Sequence, residues 1–182
     1  RRVRRSNIIV MPRHISILFP GQGSQSLGML NNHSINLLNS YEKDITNMLG
    51  FNLLDIIENG PAEDLNRTSV TQPAILLSSI LDFYHISKEL DLKPNLLCGH
   101  SLGEYSALVA ANSISLLEGI SLVHKRGKLM EKCPKGAMCA VLNTDIKIIR
   151  DICVEVEKDI NTIVAPANLN SPNQIVISGN EE

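Results

Sequence analysis

The chain has no tryptophan, and its three tyrosines and three phenylalanines make aromatics only 3% of 182 residues. Stacking platforms for single-stranded nucleic acid need such rings, so that class of function is disfavoured. The four cysteines, Cys98, Cys133, Cys139 and Cys153, form no Cys-x-x-Cys pair. No spacing of His and Cys resembles a zinc site, and no metal is expected. The cysteines read as reduced, partly buried thiols of a cytoplasmic-type compartment. The apolar stretch Ile8–Met11 is too short for a signal core or a membrane span.

Acid is missing from the first 13 residues, which hold Arg1, Arg2, Arg4, Arg5 and Arg13. The net charge is −2, so the remainder carries −7, and the body offers no charge signal for nucleic acid. Residues 1–13 are expected to be a disordered basic tail, with Met11 a natural start. An organelle targeting segment is the other reading of an Arg-rich, acid-poor leader. With 43% hydrophobic residues, the chain has the apolar content of a globular domain with a core and a small insert.

Residues 14–19 read as a buried strand, broken by the loop Pro20-Gly21-Gln22-Gly23-Ser24-Gln25. Helices are expected at 34–49 and 51–58, then a short one with Pro61 as its first residue. Thr71-Gln72-Pro73 opens a long helix with Leu76, Ile80, Phe83 and Ile86 at helical spacing. A strand at 95–99 leads through 100–102 into a helix ending near Ala111. Ser115 and Glu118 have capping-box spacing for the next helix, which should turn Leu116, Ile120, Val123 and Met130 inward. The character changes at Pro134, giving a core over 14–134 and a subdomain over 135–182. In the latter, strands are expected at 136–142, 162–169 and 174–178, with a helix at 145–158. This β-α-β-β order is the first part of a ferredoxin-like, split βαβ unit. Asn180-Glu181-Glu182 reads as a helix start, which implies truncation before the unit's last helix and strand.

Gly99-His100-Ser101-Leu102-Gly103, between a strand and a helix, is the setting of a nucleophile elbow. The glycines are expected to let the backbone turn, lifting the Ser101 hydroxyl off the sheet edge as a nucleophile. The Leu102 N–H, at the helix start, would attract an oxyanion. The Gly21-Gln22-Gly23 loop lacks the Gly-Lys-Ser/Thr of a phosphate loop and reads either as a second oxyanion donor or as a plain turn. Arg126 closes an amphipathic helix in Lys125-Arg126-Gly127-Lys128, where cations need no special role. A base is lacking: among the five histidines, His100 adjoins Ser101 and His124 reads as a surface residue.

Together these segments resemble the malonyl-CoA:acyl carrier protein transacylases of fatty-acid synthesis and the acyltransferase domains of polyketide synthases. The likeness is carried by Phe19–Gln25, Gly60–Glu63, Thr71–Ala74, Gly99–Ala107, Arg126–Lys128, Gly136–Met138 and Asn168–Pro172. It implies an α/β fold: a hydrolase-like parallel-sheet core with the elbow, plus an incomplete ferredoxin-like subdomain. It also implies a ping-pong transfer of malonyl from malonyl-CoA to the phosphopantetheine thiol of acyl carrier protein, through an ester on Ser101. Gln22 and Leu102 N–H groups would form the oxyanion hole and Arg126 would hold the malonyl carboxylate. Gln72, Met138 and Asn170 would line the acyl or pantetheine site. No metal or prosthetic group is implied. The basic residues Lys125, Lys128, Lys132 and Lys135 would receive an acidic carrier or stand as a solvated helix end. The family's base histidine has no counterpart here, so this chain is expected to turn over poorly or not at all. A serine esterase or thioesterase, and a non-catalytic binding remnant, are the competing readings.

Overall fold

The computed structural model describes residues 14–30, 38 and 41–181; the expected basic tail, His33 and residues 34–37 of the expected helix lie outside them. The described residues divide after Glu131 into two compact units, so the break follows the end of a helix rather than Pro134.

In the first unit, β1 (Ser16–Phe19) runs parallel to β2 (Leu96–Gly99), with Phe19 opposite Gly99. Asn95 ties the strand starts together, its Oδ1 accepting from the Ile15 N–H at 3.0 Å. Parallel neighbours need a long crossover, and here it is helical. It comprises α1 (Glu42–Leu49), α2 (Leu53–Asn59), α3 (Ala62–Leu65) and α4 (Thr68–Glu89). After β2 come α5 (Leu102–Ala110) and α6 (Leu116–Glu131). Pro61 is the cap of α3 rather than its first residue: at ψ 159° its backbone is still extended.

The long helix α4 starts three residues before Thr71, because Arg67 supplies the extended cap at ψ 126°. Its first half is not a stripe but is buried all round, from Ser69 through Ser78. A helix apolar on every side belongs inside a core. It packs chiefly against α6 and α5, with Leu76 and Ile80 fully buried and Ile86 exposed near the far end. The buried Thr71 hydroxyl donates to the Leu65 carbonyl at 2.6 Å and so is satisfied.

Ser115 caps α6 as its spacing predicts. The Glu118 N–H donates to Ser115 Oγ at 3.2 Å, and the Ser115 N–H donates back to the Glu118 carboxylate at 2.8 Å. Leu116, Ile120 and Val123 are buried, but Met130 is exposed, because the last turn of α6 runs past the apolar core. Two cysteines, Cys133 and Cys139, are exposed rather than partly buried, Cys153 is buried, and none of the four forms a disulfide.

The second unit contains β3 (Gly136–Leu142), α7 (Ile146–Ile160), β4 (Val164–Ser171) and β5 (Gln174–Asn180). The strand order β3-β5-β4 is antiparallel throughout, so β5 splits the β3-α7-β4 crossover. Asp145 caps α7 by accepting from the Lys147 N–H at 2.7 Å. The helix lays Ile149 and Cys153 against Ile175. Asn180 is the last residue of β5, and its N–H donates to the Ile163 carbonyl at 3.0 Å.

The capping box gives a stability prediction. Ser115→Ala should lower unfolding free energy by about 1 kcal/mol in urea titrations. The Ser115 hydroxyl and N–H hold the Glu118 carboxyl below its usual value of 4.5. Its contribution is therefore present above that value and fades as pH falls through the lower folded one. The gap between Ser115→Ala and the parent chain should shrink at low pH.

Candidate functional site

Ser101 lies between β2 and α5 with φ 54° and ψ −107°. A residue with a side chain rarely adopts this backbone, and holding it there costs on the order of 1–3 kcal/mol. Neither neighbouring glycine has a positive φ; Ser101 itself makes the sharp turn. Gly99 and Gly103 serve another purpose. A Cβ on Gly99 would collide with the Gly103 backbone, and one on Gly103 with the Phe19 carbonyl. Missing side chains thus let α5 press against both strands, and that pressure forces Ser101 outward. The expectation that the glycines supply the turn is corrected accordingly.

The loop after β1 abuts the same elbow: a Cβ on Gly21 would stand 3.3 Å from the His100 carbonyl oxygen. Side chains of the loop fasten it. Gln22 Nε2 donates to Thr68 Oγ1 at 3.1 Å, and Gln25 Nε2 donates to Asn66 Oδ1 at 2.9 Å. Ser24 Oγ donates to the Gly21 carbonyl at 2.9 Å, which closes the turn. On the other side, the Leu102 N–H opens α5 and has no carbonyl one turn back within the helix.

Arg126 is brought to the nucleophile from α6. Its Nη2 donates to Ser101 Oγ at 2.9 Å and its Nη1 to Gln72 Oε1 at 2.7 Å. The guanidinium carbon stands 5.8 Å from the centre of the Tyr105 ring. Arg126 is half-buried, yet among the described residues it has no carboxylate partner; the ion pairs there are Arg67–Asp64 and Lys93–Asp91. A partly desolvated cation without a counter-charge is poised for an anion. Gln72 is fully buried, with its other amide end donating to Met130 Sδ at 3.2 Å. Both ends are engaged within the protein, so Gln72 holds Arg126 rather than lining an open acyl cavity.

His124 is buried at 8% exposure, not a surface residue. The reason lies on α4. Pro73 has no N–H, so the Ser69 carbonyl loses its partner one turn on. His124 Nδ1 fills that gap at 2.7 Å from the Ser69 oxygen. The Ser69 N–H in turn donates to Glu131 Oε1 at 2.7 Å. Burial alone would raise the Glu131 carboxyl; the Ser69 bonds, with Arg67 and His124, outweigh it and hold the group below its usual value. The sequence does contain a signal for this contact: a proline inside a helix announces an orphan carbonyl four residues back.

Met138 and Asn170 belong to the second unit. Met138 stands on β3 opposite Ser178 and is exposed, and Asn170 on β4 donates from Nδ2 to Gln174 Oε1 at 3.0 Å. Among the described residues, no group of three His, Cys, Asp or Glu is placed to hold a metal ion, and no helix is long and apolar enough to cross a membrane.

Comparison with known proteins places this geometry. Residues 17–182 match the family described as the acyl transferase domain. The chain is 41% identical to the malonyl CoA-acyl carrier protein transacylase of Haemophilus influenzae, over 92% of this chain and 55% of that protein. It is 39% identical, at a TM-score of 0.74, to a solved acyl carrier protein S-malonyltransferase from Vibrio cholerae, covering 92% of this chain and 56% of that one. A malonyl-transacylase solved in complex with its type II PKS acyl-carrier protein is 40% identical at a TM-score of 0.71, covering 92% of this chain and 55% of that one. The chain therefore spans about half the length of the curated relatives it matches.

The strain at Ser101 is measurable. Ser101→Gly should unfold at higher denaturant than Ser101→Ala, by about 1 kcal/mol, because glycine tolerates the positive φ. Equal midpoints would mean that the turn relaxes when the hydroxyl is removed.

Proposed function

The chain belongs to the acyl transferase domain family, and we propose that it moves a malonyl group from malonyl-CoA to the phosphopantetheine thiol of an acyl carrier protein. The observation that carries this reading is the half-buried Arg126 guanidinium, 2.9 Å from Ser101 Oγ and without a carboxylate partner among the described residues. A hydrolase of simple acyl esters has no use for a cation there, and an acetyl group presents no carboxylate to it. The printed names of the relatives point the same way.

Ser101 Oγ attacks the thioester carbonyl, and the negative charge forming on its oxygen meets the N–H groups of Gln22 and Leu102. The carbon–sulfur bond breaks, coenzyme A leaves as its thiol after taking a proton, and malonyl remains as an ester on Ser101. The carrier's thiol then attacks that ester, and Ser101 recovers its proton. Gln72 keeps Arg126 Nη1, which leaves Nη2 and Nε as the fork for the malonyl carboxylate. Arg126 then exchanges Ser101 Oγ for the substrate as its partner, which frees the nucleophile's lone pair. The transfer needs no metal or prosthetic group. The protein works in the cytoplasm, or in an organelle stroma or matrix if the Arg-rich start is a leader.

The base in this reading is a histidine outside these 182 residues. His124 is committed to the Ser69 carbonyl, and removing one member of a Ser–His unit lowers rate by orders of magnitude. Malonyl-CoA should therefore load this chain slowly, adding the mass of one malonyl group by intact-mass spectrometry. Ser101→Ala should abolish the adduct; a surviving adduct would place the nucleophile elsewhere. Arg126→Ala should slow malonyl loading about tenfold or more while sparing acetyl loading, the scale expected for a lost charge-assisted bond. Equal losses for both acyl groups would remove the carboxylate clamp. Free malonate appearing without transfer to a carrier protein would favour the esterase reading.

A further inference from the structure

Ser69 sits at the second residue of α4, and α6 grips it on both sides. His124 Nδ1 meets its carbonyl at 2.7 Å, and Glu131 Oε1 meets its N–H at 2.7 Å. Between these contacts, Gly127 faces Ser69 so closely that a Cβ there would stand 2.6 Å from Ser69 Cα. One residue's whole backbone polarity is thus read by two side chains of another helix, seven positions apart. The Ser69 carbonyl oxygen can only accept, so Nδ1 is the donating nitrogen, while among the described residues the buried Nε2 has no hydrogen-bond partner.

Such a grip sets the sliding position of α6 along α4. A helix rises about 1.5 Å per residue, so a slip of one residue would exceed the tolerance of a hydrogen bond. The Gln72–Arg126 bond at 2.7 Å joins the same two helices and depends on the same position. Three residues after Ser69, Gln72 presents Oε1 as an acceptor; two residues after His124, Arg126 donates to it from Nη1. Arg126 reaches Ser101 only from there.

We infer that His124 and Glu131, through the Ser69 backbone, are positioning residues that set the register of α6 on α4, hold the Arg126 guanidinium at the nucleophile, and so determine selectivity for carboxylated over plain acyl thioesters. Neither touches the substrate. The inference rests on the carboxylate role proposed for Arg126.

Equilibrium binding of malonyl-CoA and acetyl-CoA tests it without turnover, by calorimetry in the Ser101→Ala chain, where neither ligand reacts. The readout is the ratio of the two affinities. Arg126→Ala should bring that ratio to about 1. His124→Phe keeps an apolar ring beside Phe51 but removes the donor, and should lower the ratio about fivefold, the loss expected for one neutral hydrogen bond. His124→Asn, whose amide nitrogen can stand where Nδ1 does, should restore it to within about twofold of the parent. Glu131 is exposed, so Glu131→Ala should fold, and it should lower the ratio as His124→Phe does, with acetyl-CoA affinity unchanged. A ratio that stays at the parent value in folded Glu131→Ala, while Arg126→Ala collapses it, overturns the positioning role. Loss of affinity for both ligands alike also overturns it, because that is the signature of general destabilisation. No preference in the parent, or none lost in Arg126→Ala, overturns the Arg126 reading and the positioning role with it.

Discussion

The close seating of α5 on the two parallel strands is the constraint from which the site follows. Gly99 and Gly103 leave no side chain between the sheet and the helix, and the Gly103 Cα lies against the Phe19 carbonyl. Backbone packed this tightly cannot relax the turn between strand and helix. Ser101 therefore stays at φ 54°, at a cost that folding of the surrounding core offsets. Strain of this kind persists only where neighbouring structure over-determines it. The gain is directional: the hydroxyl projects from the end of the sheet beside the first N–H groups of α5, where a helix favours negative charge.

A second constraint brings charge to that point. Arg126 comes from α6 and meets the nucleophile through polar side-chain contacts: Gln72, fully buried, anchors one end of the guanidinium. Tyr105 flanks its other side. Lining a half-buried cation with an amide and a ring, and among the described residues no carboxylate, leaves the charge uncompensated there. An unpaired charge away from water is unfavourable, which is why an anionic group arriving there would bind strongly. Nucleophile and cation come from helices separated in sequence by the Ser115 cap, yet the core that buries Ile120 and Val123 holds them within one hydrogen bond.

Much of this was legible in residue order. Ser115 and Glu118 bond as their spacing predicts, because a capping box involves only neighbours on one helix end. β3 runs over Gly136–Leu142, the bounds expected from the apolar run that follows Pro134. The elbow was recognisable from Gly-x-Ser-x-Gly, although the physical role of its glycines was not. Helical spacing on α4 suggested one apolar stripe, whereas the helix is buried on every side over its first half; polar Ser69, Thr71 and Gln72 hid that, since each is buried with its hydrogen bonds met from other elements or turns. His124 looked solvent-facing for the same reason: its partner is fifty-five positions away.

Sequence by itself determined the local elements, the nucleophile's place at a strand–helix junction and, through a set of spaced motifs, the family. Those features depend on spacings of a few residues or on short runs of characteristic type, so they survive reading in one dimension. Only the tertiary structure decided that Ser101 rather than glycine carries the positive φ, that Gln72 holds Arg126, and that His124 and Glu131 hold Ser69. Each of these depends on which helix lies against which. Burial turns an ordinary polar side chain into one that must find a specific partner, and the partner is chosen by packing rather than by order along the chain.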